Sequence, residues 1–454
     1  MNTKPLGWFG IIRLGLVQTA LGAIVVLTTS TMNRVMVVEL ALPAMLPGIL
    51  VALHYGVQIL RPRLGYFSDV GGRRTPWIIG GMAVLALAGI SAATATAWME
   101  TNALAGIVLA VIAFVFIGVG VGATGTSLLV LLAARVDDRR RAAAATIVWV
   151  MMISGFAVTA TVAGDFLDPF SSARLVAVTA SVAGAAFLLT IVAVHGIEGP
   201  TAAVKPGEAE TTKPPFREAL AQVWAEPKAR RFAIFVFVSM LAYSGQDLIL
   251  EPFAGAVFGL TPGESTKLSG VQHAGVLVGM IMVAIAGSAI GRGRLGTLRF
   301  WTIGGCVAST AALFSLVIAG FFAPNWPLRE CVFALGVANG AFAVAAIGSM
   351  MGLVSSGRAS REGVRMGLWG AAQAIAFGVG GLVATGAVDL TSYLVGSPVV
   401  AYTSVFAAEA VLFIVSAGLA ARVYKSPAEP TPAPSAEAQH PTPAAPYAAA
   451  LDQT

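Results

Sequence analysis

The sequence predicts an all-α membrane protein that crosses the bilayer twelve times, in two six-helix halves. Composition is the first reason. Of 454 residues 57% are hydrophobic and only 11% charged, at a mean hydropathy of +0.82, whereas a soluble domain carries about 25% charged residues. Segmentation is the second. The apolar residues gather into runs at 12–33, 41–60, 76–96, 104–133, 143–163, 174–195, 231–250, 268–290, 299–321, 328–354, 364–388 and 399–421, each near the ~20 residues a spanning helix needs. Their continuous apolarity, without two-residue alternation, excludes a barrel, so each run satisfies its backbone as a helix. The distribution of positive charge is the third. With a cytoplasmic N-terminus, all 28 Lys and Arg except Arg34, Arg174, Lys267 and Arg329 fall on one side, as cytoplasmic loops require. An even count of spans follows, with both termini cytoplasmic. The net charge of +6 is therefore a topology signal, with no nucleic-acid partner implied.

The first run follows directly on Pro5 to Arg13, and no cleavable signal peptide is expected. At its outer turn Arg34 and Glu39 stand five residues apart in a short, otherwise apolar connection, where an ion pair between them, or with the seventh helix, closes the outer face. Between the second and third runs lies Gly65-Tyr66-Phe67-Ser68-Asp69-Val70-Gly71-Gly72-Arg73-Arg74. This pattern resembles the loop joining the second and third helices of major facilitator superfamily transporters. The resemblance implies that superfamily's fold, with Gly65 and Gly72 making the turn, Asp69 set against a helix N-terminus, and Arg73 and Arg74 stabilising one conformation of the inner face. In the second half the loop is reduced to Gly291-Arg292-Gly293-Arg294. A weaker echo between the halves is the equal spacing of Arg141 to Trp149 and Arg361 to Trp369.

The glycines Gly118, Gly120, Gly122, Gly125, Gly378, Gly380, Gly381 and Gly386 allow close helix contact, and a flat glycine face also admits a planar ligand. The polar stretch from His195 to Arg231, broken by Pro200, Pro206, Pro214 and Pro215, reads as a linker. The expected division is 1–195 for the N-terminal half, 196–230 for the cytoplasmic linker, 231–421 for the C-terminal half and 422–454 for a disordered Pro/Ala-rich tail. Within the linker, Phe216 to Ala225 fits either a surface helix or a disordered segment.

Enzymatic and metal motifs are missing from the sequence: there is no zinc-spaced Cys/His cluster, no Walker-type phosphate loop and no Gly-x-Ser-x-Gly elbow. Cys306 and Cys331 fall at opposite ends of their helices and are not expected to pair. Polar groups at membrane depth carry the remaining information, because they are costly there and usually face the bundle interior. Gln246, Asp247 and Glu251 close the seventh run, and the four-residue spacing puts both carboxyls on one face near the outer boundary. They either share a proton in a polar gate or sit solvated in the headgroup layer. His54 in the second run and His273 in the eighth are counterparts in a 6+6 arrangement, with Gln58 and Gln272 as candidate partners. Each histidine is either a ligand, held by such a partner, or a structural hydrogen-bonding group.

Three stretches together are similar to the PucC family of light-harvesting assembly proteins: Asn33 to Leu40, Gln246 to Pro252, and Arg139 to Arg141 with the following helix. The similarity spans about residues 10–422. Because the loop Ser68 to Pro76 is short, the chain resembles most the branch known as a 44.5 kDa chain of bacteriochlorophyll synthase, although it lacks the paired Asp-rich motifs of a prenyl-transferring synthase. The resemblance implies a non-catalytic factor of a photosynthetic bacterium's inner or intracytoplasmic membrane. Such a factor binds or delivers bacteriochlorophyll, or its precursors, beside bacteriochlorophyll synthase and antenna polypeptides. It makes His54 and His273 candidate ligands of the pigment magnesium; no metal is bound directly by the protein. The alternative is a proton-coupled major facilitator transporter of a small solute.

Overall fold

In the computed structural model the described residues are 5–58, 73–198, 224–287, 296–355 and 362–425, and their regular structure is helical throughout. Gly65, Asp69 and Gly72, the Gly291 to Arg294 stretch, linker residues 199–223 with most of Phe216 to Ala225, and the tail after Lys425 lie outside them. The helices are α1 (Trp8–Glu39), α2 (Met45–Val57), α3 (Thr75–Met99), α4 (Ala103–Arg135), α5 (Asp138–Leu167) and α6 (Ser172–Val194). There follow α7 (Pro227–Phe258), α8 (Pro262–Gly287), α9 (Leu298–Phe321), α10 (Leu328–Ser355), α11 (Glu362–Val395) and α12 (Pro398–Lys425). Eleven are long and apolar enough to span a bilayer, and the described part of α2 is shorter.

The packing graph repeats. In the first six helices α3 packs on α4 and α6, α1 on α5 and α6, and α2 on α4; adding six to each number reproduces the contacts of the second six. Two separate apolar cores follow from this arrangement. The halves meet along α5 with α8 and α2 with α11, while α1 lies on α7 and α8. At the α1–α2 end of the bundle these seams are polar. Lys267 Nζ lies 2.6 Å from Asp165 Oδ1, and Asp389 of α11 accepts the backbone N–H groups of Ala44 and Met45 at 2.8 and 2.7 Å, capping α2.

Glycine permits the closest approaches. A Cβ on Gly118 would stand 2.7 Å from the His54 carbonyl, and one on Gly279 only 2.1 Å from the Val337 carbonyl, so α2–α4 and α8–α10 pack backbone to backbone. The matched Arg–Trp spacings do not produce matched environments: Trp369 is buried and donates to the Ala229 carbonyl at 3.3 Å, whereas Trp149 is exposed. Both cysteines are free.

At the other end, Glu198 ties three helices of the first half together. Its carboxylate accepts the backbone N–H groups of Arg74 and of Thr75, the latter at 2.9 Å, so an anion sits at the N-terminus of α3. Arg135 donates to the Glu198 carbonyl at 2.5 Å and Arg13 to the His195 carbonyl at 2.5 Å. Burial alone pushes the Glu198 carboxyl up, but the donors from Arg74 and Thr75 and the charge of Arg73 outweigh it and hold the group below its ordinary 4.5. The sign for stability follows from the lowered value. The contribution is complete above the unfolded carboxylate range and is lost as pH falls through the lowered folded value. Thermal unfolding between about pH 6 and about pH 3, a range that brackets an ordinary Glu, should therefore show the native protein losing more stability than Glu198→Gln; equal pH slopes would refute the clasp.

Candidate functional site

Helix α7 runs through Pro252 to Phe258, past the point where the apolar run ends. Proline offers no N–H to the carbonyl four residues earlier, here that of Leu248, and an unpartnered carbonyl in hydrocarbon costs several kcal/mol. Asn33 of α1 supplies the missing donor: its Nδ2 hydrogen-bonds the Leu248 carbonyl. The extended helix moves the acidic pair inward. Asp247 stands eleven residues from Phe258, about 16 Å at 1.5 Å per residue and about half the depth of a bilayer core. Glu251, seven residues in, is 1% exposed. The boundary placement expected from a 231–250 span is thus corrected, because Pro252 does not stop the helix.

Helix α1 also runs on, so Arg34 and Glu39 are helical and not part of an outer loop. The Thr28 and Thr29 hydroxyls both bond the Val25 carbonyl at 2.9 Å, competing with the backbone ladder. Wider π turns open at Leu27–Thr31 and Val35–Glu39, on either side of Met32–Arg34; such turns recur at functional sites. Arg34 is 2% exposed. Its Nη1 lies 2.5 Å from Glu39 Oε1, and its Nη2 donates to the Leu260 carbonyl at 2.6 Å. The guanidinium lies directly on α7 where Gly255 has no side chain, and a Cβ there would come within 2.9 Å of Nη2. One turn deeper, Ser30 donates to Glu251 Oε1 at 2.5 Å, and the Thr31 and Thr266 hydroxyls are 3.1 Å apart. Arg34, Glu39, Ser30, Glu251 and Thr266 thus join α1, α7 and α8.

Gln246 does not belong to this group. It faces α10, accepting from Asn339 Nδ2 at 2.8 Å while Asn339 accepts from Ser309 of α9 at 2.8 Å. Asp247 lies instead in a cleft of about 20 Å³ between α1, α2, α7 and α11, lined by Thr29, Tyr55, Ser244 and Phe377, with room for about one water. Gln272 of α8 reaches Asp247 and is not the partner of His273. That histidine bonds the Ser269 carbonyl through Nδ1 at 2.8 Å and meets the Phe156 ring edge-on; a proton on Nδ1 leaves Nε2 as the lone-pair nitrogen. His54 differs, since its Nε2 lies 2.9 Å from Gln58 Nε2 and takes the amide donor. His54 packs with Tyr55 and His273 with Phe156, so the two histidines occupy separate sites. Of the loop motif, Arg73 and Arg74 are described, at the α3 terminus held by Glu198.

Two residues went unread in the sequence. Asn339 links three helices, as above. Glu409 of α12 is 4% exposed, and neither carboxyl oxygen has a hydrogen-bond partner among the described residues. The signal was available, because Glu409 is the one acid in the run 399–421 and an acid at membrane depth marks function by default.

Residues 31–428 match the family model described as PUCC protein. The chain belongs to the PUCC protein family. It is 54% identical over 418 residues to the bacteriochlorophyll synthase 44.5 kDa chain of Rhodobacter capsulatus, covering 92% of this chain and 96% of that one. It is 29% identical to Protein PucC of the same organism, covering 91% and 92%. Among solved structures, the nucleoside transporter NupG superposes with a TM-score of 0.66 at 12% identity, over 92% of this chain and 100% of that one. The major facilitator fold is thereby established for this member of the PUCC family.

The Asn33–Leu248 bond has a specific double-variant signature. Asn33→Leu is expected to cost about 1–3 kcal/mol by leaving a buried carbonyl unpartnered. Adding Pro252→Ala, which restores the backbone N–H, should recover most of that loss in denaturation measured on the purified protein; no recovery would refute the role assigned to Asn33.

Proposed function

We propose that this protein is a non-catalytic membrane factor that binds or hands over bacteriochlorophyll, or its lipid-like precursors, during light-harvesting complex assembly, acting beside bacteriochlorophyll synthase and antenna polypeptides. The observation that carries this reading is the 54% identity, over nearly the full length of both chains, to a protein named as a chain of bacteriochlorophyll synthase. The setting is the inner or intracytoplasmic membrane of a photosynthetic bacterium, with the α1–α2 end outward and both termini cytoplasmic, in keeping with the bias of Lys and Arg.

The pigment is cargo, and the residues differ in how well they suit it. His273 fits a magnesium ligand, because Ser269 holds its Nδ1 proton and so orients the lone pair of Nε2. His54 fits only after Gln58 releases its Nε2. The cleft at Asp247 is far too small for a tetrapyrrole, so on this reading the pigment enters between helices or against their lipid-facing sides, and Asp247 does not line its site.

Protein purified gently from a pigment-making host is expected to carry a bacteriochlorophyll absorption band. That band should be lost in His273→Ala with folding intact and largely kept in His54→Ala. A native protein without the band, or a band indifferent to both changes, would overturn pigment ligation.

The second reading, proton-coupled transport of a small solute, is favoured by one observation, the half-buried Asp247 and the buried Glu251 and Glu409 inside a transporter fold. It predicts that Asp247→Asn abolishes proton-dependent solute flux in proteoliposomes, whereas a pigment factor shows no such flux before or after the change.

A further inference from the structure

The carboxyls of Glu409 and Asp247 come from different helices and stand at one depth. Glu409 is eleven residues from Pro398 at the start of α12, and Asp247 eleven residues from Phe258 at the end of α7; both helix ends lie on the α1–α2 side. Helices α7 and α12 pack together, and the contact is made possible by Gly245, whose missing Cβ would fall only 2.1 Å from Glu409 Oε1, with Ala384 of α11 on the same side. On this side the Glu409 carboxyl therefore meets a glycine and an alanine.

The charged and titratable groups on the neighbouring elements do not neutralise Glu409. On α7, Asp247 is the group whose charge acts on it, and the same charge also acts on Tyr243. On α11, Asp389 is spent on the N-terminus of α2. On α9, the buried Cys306 carries no charge, and Tyr402 lies two turns away on α12 itself. Arg34, a buried cation of the α1–α7 seam, is committed to Glu39 and the Leu260 carbonyl. An ionised carboxylate whose two oxygens have no donor among the described residues, near a second carboxylate and 4% exposed, is strongly disfavoured.

We propose that Glu409 and Asp247 form a proton-binding site at mid-depth between α7 and α12, in which one proton is held on the Glu409 carboxyl. The ligand is a proton and not a metal ion, because Glu409 meets a glycine and an alanine where a cation such as sodium requires several oxygen ligands. Uptake converts the Glu409 carboxylate to the carboxylic acid and removes the repulsion with Asp247, so the occupied site lets α7 and α12 close over Gly245. The proposal does not rest on pigment binding, since it involves neither histidine.

Infrared spectroscopy of the full-length protein in lipid at neutral pH tests it through the carbonyl stretch of a protonated, non-hydrogen-bonded carboxyl group. The expected result is one such band that is lost in Glu409→Gln, shifted in Asp247→Asn where the neighbouring charge is gone, and unchanged by sodium. Glu409→Gln should fold as well as the native chain, since the amide has the shape and neutrality of the protonated acid; a variant that fails to fold would show that the charged form is needed and would overturn the proposal. So would a native spectrum whose band survives Glu409→Gln, a band insensitive to Asp247→Asn, or one abolished by sodium, which would make the site a metal-ion site.

Discussion

Within hydrocarbon a backbone carbonyl without a donor is too costly to leave open, and at Leu248 the helix cannot supply the donor itself, because the residue four positions on is Pro252. Asn33 supplies it from α1. Much of the polar interior depends on this one bond. It lets α7 continue to Phe258, which brings the Leu260 carbonyl to Arg34 and Glu251 beneath Ser30, and carries Asp247 to the middle of the bundle. Buried ion pairs rarely repay their own desolvation, and Arg34 is no exception in principle. It is retained with a carboxylate, a carbonyl and a glycine shelf arranged around it, which fixes the relative rotation of α1 and α7 more than it adds stability.

Sequence reasoning reached the architecture and much less of the site, for physical reasons. Twelve apolar runs and a one-sided distribution of Lys and Arg determine the number of spans, because bilayer thickness and backbone satisfaction leave few alternatives. Helix ends are another matter. Arg34, Glu39 and Glu251 are polar residues inside helices that read as helix ends, and Pro252 reads as a stop unless its remote partner is known. Which face of a helix is inward is equally hidden where the helix is apolar all round, as in α7; hence Gln246, expected beside Asp247, turns to Asn339, and Gln272, expected beside His273, turns to Asp247. Glu409 was visible in the sequence as a lone acid in α12. What remained invisible was that nothing among the described residues donates to it.

The two halves share a contact pattern but not a chemistry. His54 and His273 occupy corresponding helices, yet one ring nitrogen takes a glutamine amide and the other gives its proton to a backbone carbonyl. Among the described residues the buried acids Glu251 and Glu409 belong to the second half, and the buried Arg34 to the first. Duplication of the helix packing thus supplies a frame, and the polar groups set on it differ from one half to the other, as expected when function resides in sites carried by a common fold.

The two wide turns of α1 have a mechanical meaning. Each contains a residue more than an α turn of the same rise, so α1 holds spare length on both sides of Arg34 while its first nineteen residues, Trp8–Val26, stay regular. Spare length of this kind can travel along a helix by exchanging one hydrogen bond at a time, turning the segment between the two bulges like a swivel while the ends keep their packing. The arginine that fastens α1 to α7 is mounted on that short segment, with a wide turn on each side of it.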